Sequence, residues 1–162
     1  MTTIVLGMGT NLGDRLANLQ AALRLLRESG VAISRASGAW ETPPMPEGQP
    51  AYLNAVAVAE THLSPHDLLA RLKDIERQLG RRPGPRWGPR PIDIDIIFYD
   101  DQAISDESLS VPHPGVQDRA FFLAPLAEVV RGPLPILGKS AVELLASADQ
   151  AGQRRVSALP PP

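Results

Sequence analysis

The chain has 162 residues, enough for one compact domain with its own core and too few for two ordinary ones. Its 43% hydrophobic content is that of a globular chain, and a net charge of −2 gives no overall pull toward nucleic acid or an anionic membrane. The absence of cysteine excludes disulfides, thiolate metal sites and cysteine nucleophiles, and no apolar run approaches the roughly 20 residues that cross a bilayer. The opening Met1-Thr2-Thr3-Ile4 lacks the basic region of a signal peptide, so a cytoplasmic protein is expected.

Residues 4–6 read as a short buried strand ended by Gly7-Met8-Gly9. A helix follows, because Leu12, Leu16, Leu19, Leu23 and Leu26 recur at steps of three and four and share one face. Gly30 is its stop, and residues 31–40 predict a second strand. The stretch from 42 to 50 carries four prolines, which remove donors and fix φ, so it is a stiff loop. Residues 52–60 alternate, with Val56 and Val58 on one side, and predict a strand. Ser64-Pro65-His66-Asp67 starts a helix: serine caps, proline suits the first turn, and the acid sits at the positive end. Leu68, Leu72, Ile75 and Leu79 form its buried face, and Gly80 stops it.

Residues 80–91 are an Arg-, Pro- and Gly-rich loop, residues 92–99 a strand, and Asp100-Asp101 a turn. Residues 121–130 predict a short helix, and Ser140-Ala141-Val142-Glu143 is a capping box that opens another. Residues 152–162 have little apolar content and read as a loose tail. This order predicts one α+β domain over residues 1–151, a ferredoxin-like sandwich of mainly antiparallel sheet with helices packed on it.

The chemistry concentrates at 80–97. In the predicted strand, Ile92, Ile94, Ile96 and Phe98 share one face, and Asp93 and Asp95 share the other with Ile97. Aspartate is disfavoured in strands, and two on one face lie about 7 Å apart and repel. A solvated face tolerates this, and so does a face with a cation between the carboxylates. The preceding loop adds Arg81, Arg82, Arg86 and Arg90, a local +4 in a net-negative chain. Guanidinium groups meet phosphate oxygens bidentately, and Mg²⁺ takes one or two carboxylates with water and substrate phosphate. Asp-x-Asp alone fits a solvated strand equally well. Together with four arginines and Trp87 it points to a polyphosphate site.

The run Arg86-Trp87-Gly88-Pro89-Arg90-Pro91-Ile92-Asp93-Ile94-Asp95-Ile96-Ile97 resembles the signature of the hydroxymethyldihydropterin pyrophosphokinase family of folate biosynthesis. The segment from Leu6 through Gly7-Met8-Gly9-Thr10-Asn11 to Arg15 is similar to that family's start. Glu41-Thr42-Pro43-Pro44, Gln49-Pro50-Ala51-Tyr52-Leu53-Asn54, Val111-Pro112-His113-Pro114 and Arg119-Ala120-Phe121 are similar to its later segments, in family order. The resemblance implies transfer of diphosphate from ATP to the hydroxymethyl group of 6-hydroxymethyl-7,8-dihydropterin, with release of AMP, by a monomer. It implies that Asp93 and Asp95 hold two Mg²⁺ ions, that Arg81 and Arg90 steady the transferred group, and that residues 80–91 form a lid.

For the pterin it implies Asn54 as the reader of the ring edge, backbone and side-chain contacts at Thr42, Pro43 and Met45, a Tyr52–Phe121 sandwich, and Trp87 as cover. For ATP it implies Lys73, Glu76, Arg82, Arg86, Trp87, Arg90, Ile96, His113 and Arg119. Taken without the resemblance, Phe121 reads as core and Glu76 as a solvated helix residue. The chain departs from the family at Gly115 and Gln117, where many members carry basic residues or histidine, so some phosphate contacts are missing there.

Two glycine patterns are decoys. Gly7-x-Gly9 has its third glycine, Gly13, one position too late for a dinucleotide fingerprint. Gly138-Lys139-Ser140 lacks the upstream glycine of a P-loop, and Ser140 is a helix cap. The rival readings are a metal-dependent nucleotidyl- or glycosyl-transferase and a non-catalytic nucleotide-binding protein. The first leaves Tyr52, Asn54 and the Thr42-Pro43-Pro44 loop unexplained. The second sits poorly with both aspartates and all four arginines kept.

Overall fold

Alternation of apolar residues builds the sheet, and the sheet carries everything else. A computed structural model describes residues 1–43, 48–81 and 91–159. In chain order its elements are β1 (Thr2–Thr10), α1 (Arg15–Glu28), β2 (Val31–Ala36), β3 (Ala39–Thr42), β4 (Tyr52–Thr61) and α2 (Pro65–Gln78). They continue with β5 (Asp93–Tyr99), β6 (Ile104–Ser105), β7 (Ser110–Val111), α3 (Ala120–Val129), α4 (Ala141–Ala146) and β8 (Arg154–Ser157). The main sheet runs β5-β1-β4-β3-β8, with β2 also on β4, and every pairing in it is antiparallel.

Each face of this sheet has its own core. Leu6 and Met8 of β1 and Leu53, Ala55 and Ala57 of β4 pack with the apolar faces of α1 and α2. On the other face, Val5, Val56, Val58 and Ile97 pack with Phe122, Leu123 and Leu126 of α3. The helix ends follow the sequence. Ser64 Oγ accepts the Asp67 N–H at 3.3 Å, Gly30 and Gly80 turn at positive φ, and Ser140 and Glu143 close their capping box. The fold is α+β and ferredoxin-like. Among the described residues, no helix is long and apolar enough to cross a membrane.

Five local expectations change. β1 does not stop at Gly7 but runs to Thr10, because both strand glycines lie under side chains from neighbouring elements. α1 begins only at Arg15, with Asp14 Oδ1 accepting the Ala17 N–H at 3.1 Å; Leu12 therefore lies outside the leucine stripe and is 46% exposed. The strand expected over 31–40 breaks in two at Ser37-Gly38. Ser37 Oγ accepts the Val56 N–H at 2.9 Å, and the Gly38 N–H turns to the Glu128 carboxylate at 3.1 Å. Phe98 leaves the Ile92–Ile94–Ile96 face, because the β1–β5 register slips between Val5 and Leu6 and an extra residue re-aims the strand. Finally, residues 154–157, expected in a loose tail, form β8 on β3.

Candidate active site

β5 is an edge strand of the sheet, and its burial pattern explains where its acids go. Ile92, Ile94 and Ile96 are buried in the core beneath α1 and α2. Asp93 and Asp95 therefore face the other way, with side chains 30% and 35% exposed. Their partners across β1 are Gly9 and Gly7, which leaves the surface before the carboxylates low. A Cβ on Gly9 would fall 2.7 Å from Asn54 Oδ1, and one on Gly7 would fall 2.9 Å from Phe122 Cε1. Gly9→Ala should consequently destabilise the fold by about 1–3 kcal/mol through overpacking, measured by urea denaturation.

Side chains from two other elements fix this strand. Glu76 of α2 is buried, and its Oε2 accepts the outward Ile94 N–H at 2.7 Å and lies 3.0 Å from Arg81 Nη1. The same Arg81 nitrogen donates to Asp93 Oδ1 at 2.8 Å. Burial pushes the Glu76 carboxyl up, and the neighbouring Asp93 adds to this; the Ile94 N–H and Arg81 pull the other way.

On the far side, the His113 backbone N–H donates to the Ile97 carbonyl at 2.9 Å. Its ring lies 4.7 Å from that of Phe122, and Nδ1 accepts the Gly115 N–H at 3.0 Å. The proton of the neutral ring is then on Nε2, which lies 4.0 Å from Asp95 Oδ2. Burial pushes the His113 pKa down, the nearby Arg119 adds to that, and Asp93 opposes it. A depressed histidine binds fewer protons folded than unfolded, so its contribution to stability is lost as pH falls from about 6.5 through the lowered value. Without metal or nucleotide, the urea midpoint should fall over that range, and His113→Gln should flatten the slope.

Two cavities meet at these carboxylates. One, of about 350 Å³, is lined by Lys73, Glu76, Arg81, Ile96 and the Ser108-Leu109-Ser110 segment. The other, of about 320 Å³, is lined by Thr42, Pro43, Tyr52, Asn54, Phe121 and Phe122, with Arg119 at its wall. Asp93, Asp95 and His113 line both. In the second cavity, Asn54 is 8% exposed and its Nδ2 donates to Thr42 Oγ1 at 2.8 Å. The Phe121 and Phe122 rings are 4.6 Å apart, and the Arg119 guanidinium lies 5.8 Å from the Phe121 centroid. Gly115 leaves room for that arginine: a Cβ there would fall 2.5 Å from Arg119 Nε.

The structure thus brings together Thr42, Pro43, Tyr52, Asn54 and Phe121 in one pocket, and Lys73, Glu76, Arg81 and Ile96 in the other. Arg119, expected on the nucleotide side, lines the pocket with Tyr52. Met45, Arg82, Arg86, Trp87 and Arg90 lie outside the described residues. Sequence reasoning missed Gly7, Gly9, Phe122 and Ser108-Leu109-Ser110 as lining. Two strand glycines in sequence order beside a polar loop are a usable signal for close approach; the serine segment carries none.

The 7,8-dihydro-6-hydroxymethylpterin-pyrophosphokinase (HPPK) family matches residues 5–131 of this chain. The chain is 45% identical over 128 residues to the mitochondrial folate synthesis bifunctional protein of Pisum sativum, a match covering 78% of this chain and 25% of that protein. It is 42% identical over 158 residues to the 2-amino-4-hydroxy-6-hydroxymethyldihydropteridine pyrophosphokinase of Methylorubrum extorquens, covering 96% and 99% of the two chains. The chain spans about a quarter of the length of its plant relatives. Among solved structures, wild-type HPPK-DHPS of Plasmodium falciparum with pteroate shares the fold at a TM-score of 0.76 and 16% identity, over 90% of this chain and 44% of that one.

Proposed function

The chain belongs to the 7,8-dihydro-6-hydroxymethylpterin-pyrophosphokinase family, and from that premise we propose that it transfers the β,γ-diphosphate of ATP to 6-hydroxymethyl-7,8-dihydropterin. One observation carries this reading: two pockets of opposite character meet at one carboxylate pair. The apolar pocket is lined by the Tyr52 and Phe121 rings and the Asn54 amide, side chains that suit a flat polar ring. Asn54 presents both a donor and an acceptor type to a pterin edge, and Thr42 orients it. The polar pocket has Lys73 and Arg81 for phosphate and Ile96 and Leu109 for an apolar base.

In the proposed step, the hydroxymethyl oxygen bonds to the β-phosphorus. The bond from that phosphorus to the α,β-bridging oxygen breaks, AMP leaves with that oxygen, and the hydroxyl proton passes to water. The acceptor oxygen and the β-phosphorus come from opposite pockets, so holding both at the shared wall supplies most of what the residues do. Arg81, fixed between Glu76 and Asp93, puts positive charge beside the transferred phosphates. The Nε2–H of His113 faces the same space as a neutral donor.

Asp93 and Asp95 fit Mg²⁺. They are hard oxygen donors, half-exposed, and among the described residues no third ligating side chain groups with them, which leaves positions for water and phosphate oxygens. The reading includes two such ions, which Asp93 and Asp95 would hold and which would offset negative charge on the phosphate groups. The lid expected over residues 80–91, with Arg82, Arg86, Trp87 and Arg90, lies for the most part outside the described residues.

The test is one assay with the chain, ATP, Mg²⁺ and 6-hydroxymethyl-7,8-dihydropterin, following AMP. AMP formed only when pterin and Mg²⁺ are both present supports the reading. ATP binding without AMP overturns it and favours a binding protein or a transferase with another acceptor.

A further inference from the structure

β3 is a four-residue strand, yet it carries Thr42 and leads into Pro43, two residues of the apolar pocket wall. Its pairing with β4 covers only Trp40, Glu41 and Thr42, a short ladder that needs a second support. β8 supplies it, setting Arg155 opposite Trp40 and Arg154 opposite Glu41. Arg155 grips Glu128 of α3 with two nitrogens, Nε to Oε1 at 3.0 Å and Nη2 to Oε2 at 3.4 Å. The same carboxylate accepts the Trp40 indole N–H at 2.6 Å and the Gly38 N–H at 3.1 Å. Gly38 is required by this grip, because a Cβ there would fall 2.5 Å from Arg155 Nη2.

Arg154 extends the contact to the other side of the pocket. It reaches Glu41 at 3.2 Å, Glu41 also holds Arg15 at 2.8 Å, and Arg15 donates to the carbonyl of Ala51, next to Tyr52, at 2.9 Å. Just before β8, Gly152 turns at φ +76° and passes so close to Pro43 that a Cβ would fall 2.7 Å from its Cγ. Arg15, Glu41, Glu128, Arg154 and Arg155 line neither cavity, and the proposed chemistry leaves them without a task.

We infer that residues 152–157 are a strap that sets the Thr42–Pro43 wall and so the width of the slot for the flat acceptor ring, with Arg154 and Arg155 as positioning residues. The identity of that acceptor rests on the proposed function. The strap binds β3 to α3 on one side and to the start of β4 on the other, which are the three elements that carry Thr42, Phe121 and Tyr52. A wall so braced holds its geometry before the ring arrives, and loosening it weakens ring binding more than the chemical step.

The experiment is steady-state kinetics of the full chain with Arg155→Ala, Arg155→Lys and Gly38→Ala, the last driving the guanidinium off Glu128 without removing its charge. Arg155→Ala and Gly38→Ala should raise the pterin KM roughly tenfold, with kcat within about twofold and the ATP KM unchanged; Arg155→Lys, which keeps the charge without the fork, should fall between. A pterin KM equal to that of the unaltered chain, or both KM values and kcat moving together, overturns the strap. Should Arg155→Ala not fold, Gly38→Ala decides by the same criteria. An unaltered chain that forms no AMP overturns the acceptor assignment and the strap with it, whereas an active unaltered chain with indifferent variants overturns the strap alone.

Discussion

Asp95→Ala should lower the rate of AMP formation by about 10³-fold or more while the chain remains folded. Asp95 faces both pockets, is 35% exposed, and stands opposite Gly7, so its loss opens no large hole in either core. What is lost is one of two carboxylates that share a strand face, with the Nε2 of His113 at 4.0 Å as its cross-cleft neighbour. The measurement is AMP release over a range of Mg²⁺ with a urea unfolding curve in parallel. Near-normal turnover at ordinary Mg²⁺ would remove the metal role from this residue. Asp93→Ala is a poorer first variant, because Asp93 also anchors Arg81 at 2.8 Å and its loss leaves Arg81 with a changed environment.

Asn54→Leu should lower kcat/KM for the pterin by roughly 10³-fold and leave ATP binding alone. Leucine keeps the branching at Cγ and removes the donor and acceptor that the pocket offers a ring edge. The side chain is buried, donates to Thr42 Oγ1, and sits against Gly9, so its orientation is set by three strands at once. Isothermal titration separates the two ligands, since Asn54 lines only the apolar pocket. An equal loss for ATP would mean that the variant had disturbed the sheet and not the slot.

Much of this site could be read before folding was considered. The alternation of Ile92, Asp93, Ile94 and Asp95 assigns both acids to one face without any partner strand, because a strand's period is fixed by its own backbone. Asn54 and Tyr52 sit on a strand whose alternation is equally plain. Phe98 was misassigned because a bulge is a property of a pair of strands, and nothing in 92–99 alone announces it. The break at Ser37-Gly38 depends on Glu128, ninety positions away from Gly38, and on Arg155 from the other end of the sequence. Residues 154–157 looked like tail because their two arginines are polar; the carboxylates that pin them, Glu41 and Glu128, come from other elements. Ser108-Leu109-Ser110 lines a pocket by position alone, which no composition or spacing reveals.

The bond from the Ile94 N–H to Glu76 has a consequence outside catalysis. A site built on the outermost strand leaves unpaired peptide groups facing outward, and such a rim is a template for adding strands from other molecules. Here Glu76 occupies the Ile94 donor, and the His113 N–H occupies the Ile97 acceptor. The groups that flank the carboxylates therefore also occupy two of the edge positions through which another strand could pair. Variants that cut either bond are expected to aggregate on concentration, and light scattering should detect this even where the folded chain is otherwise intact.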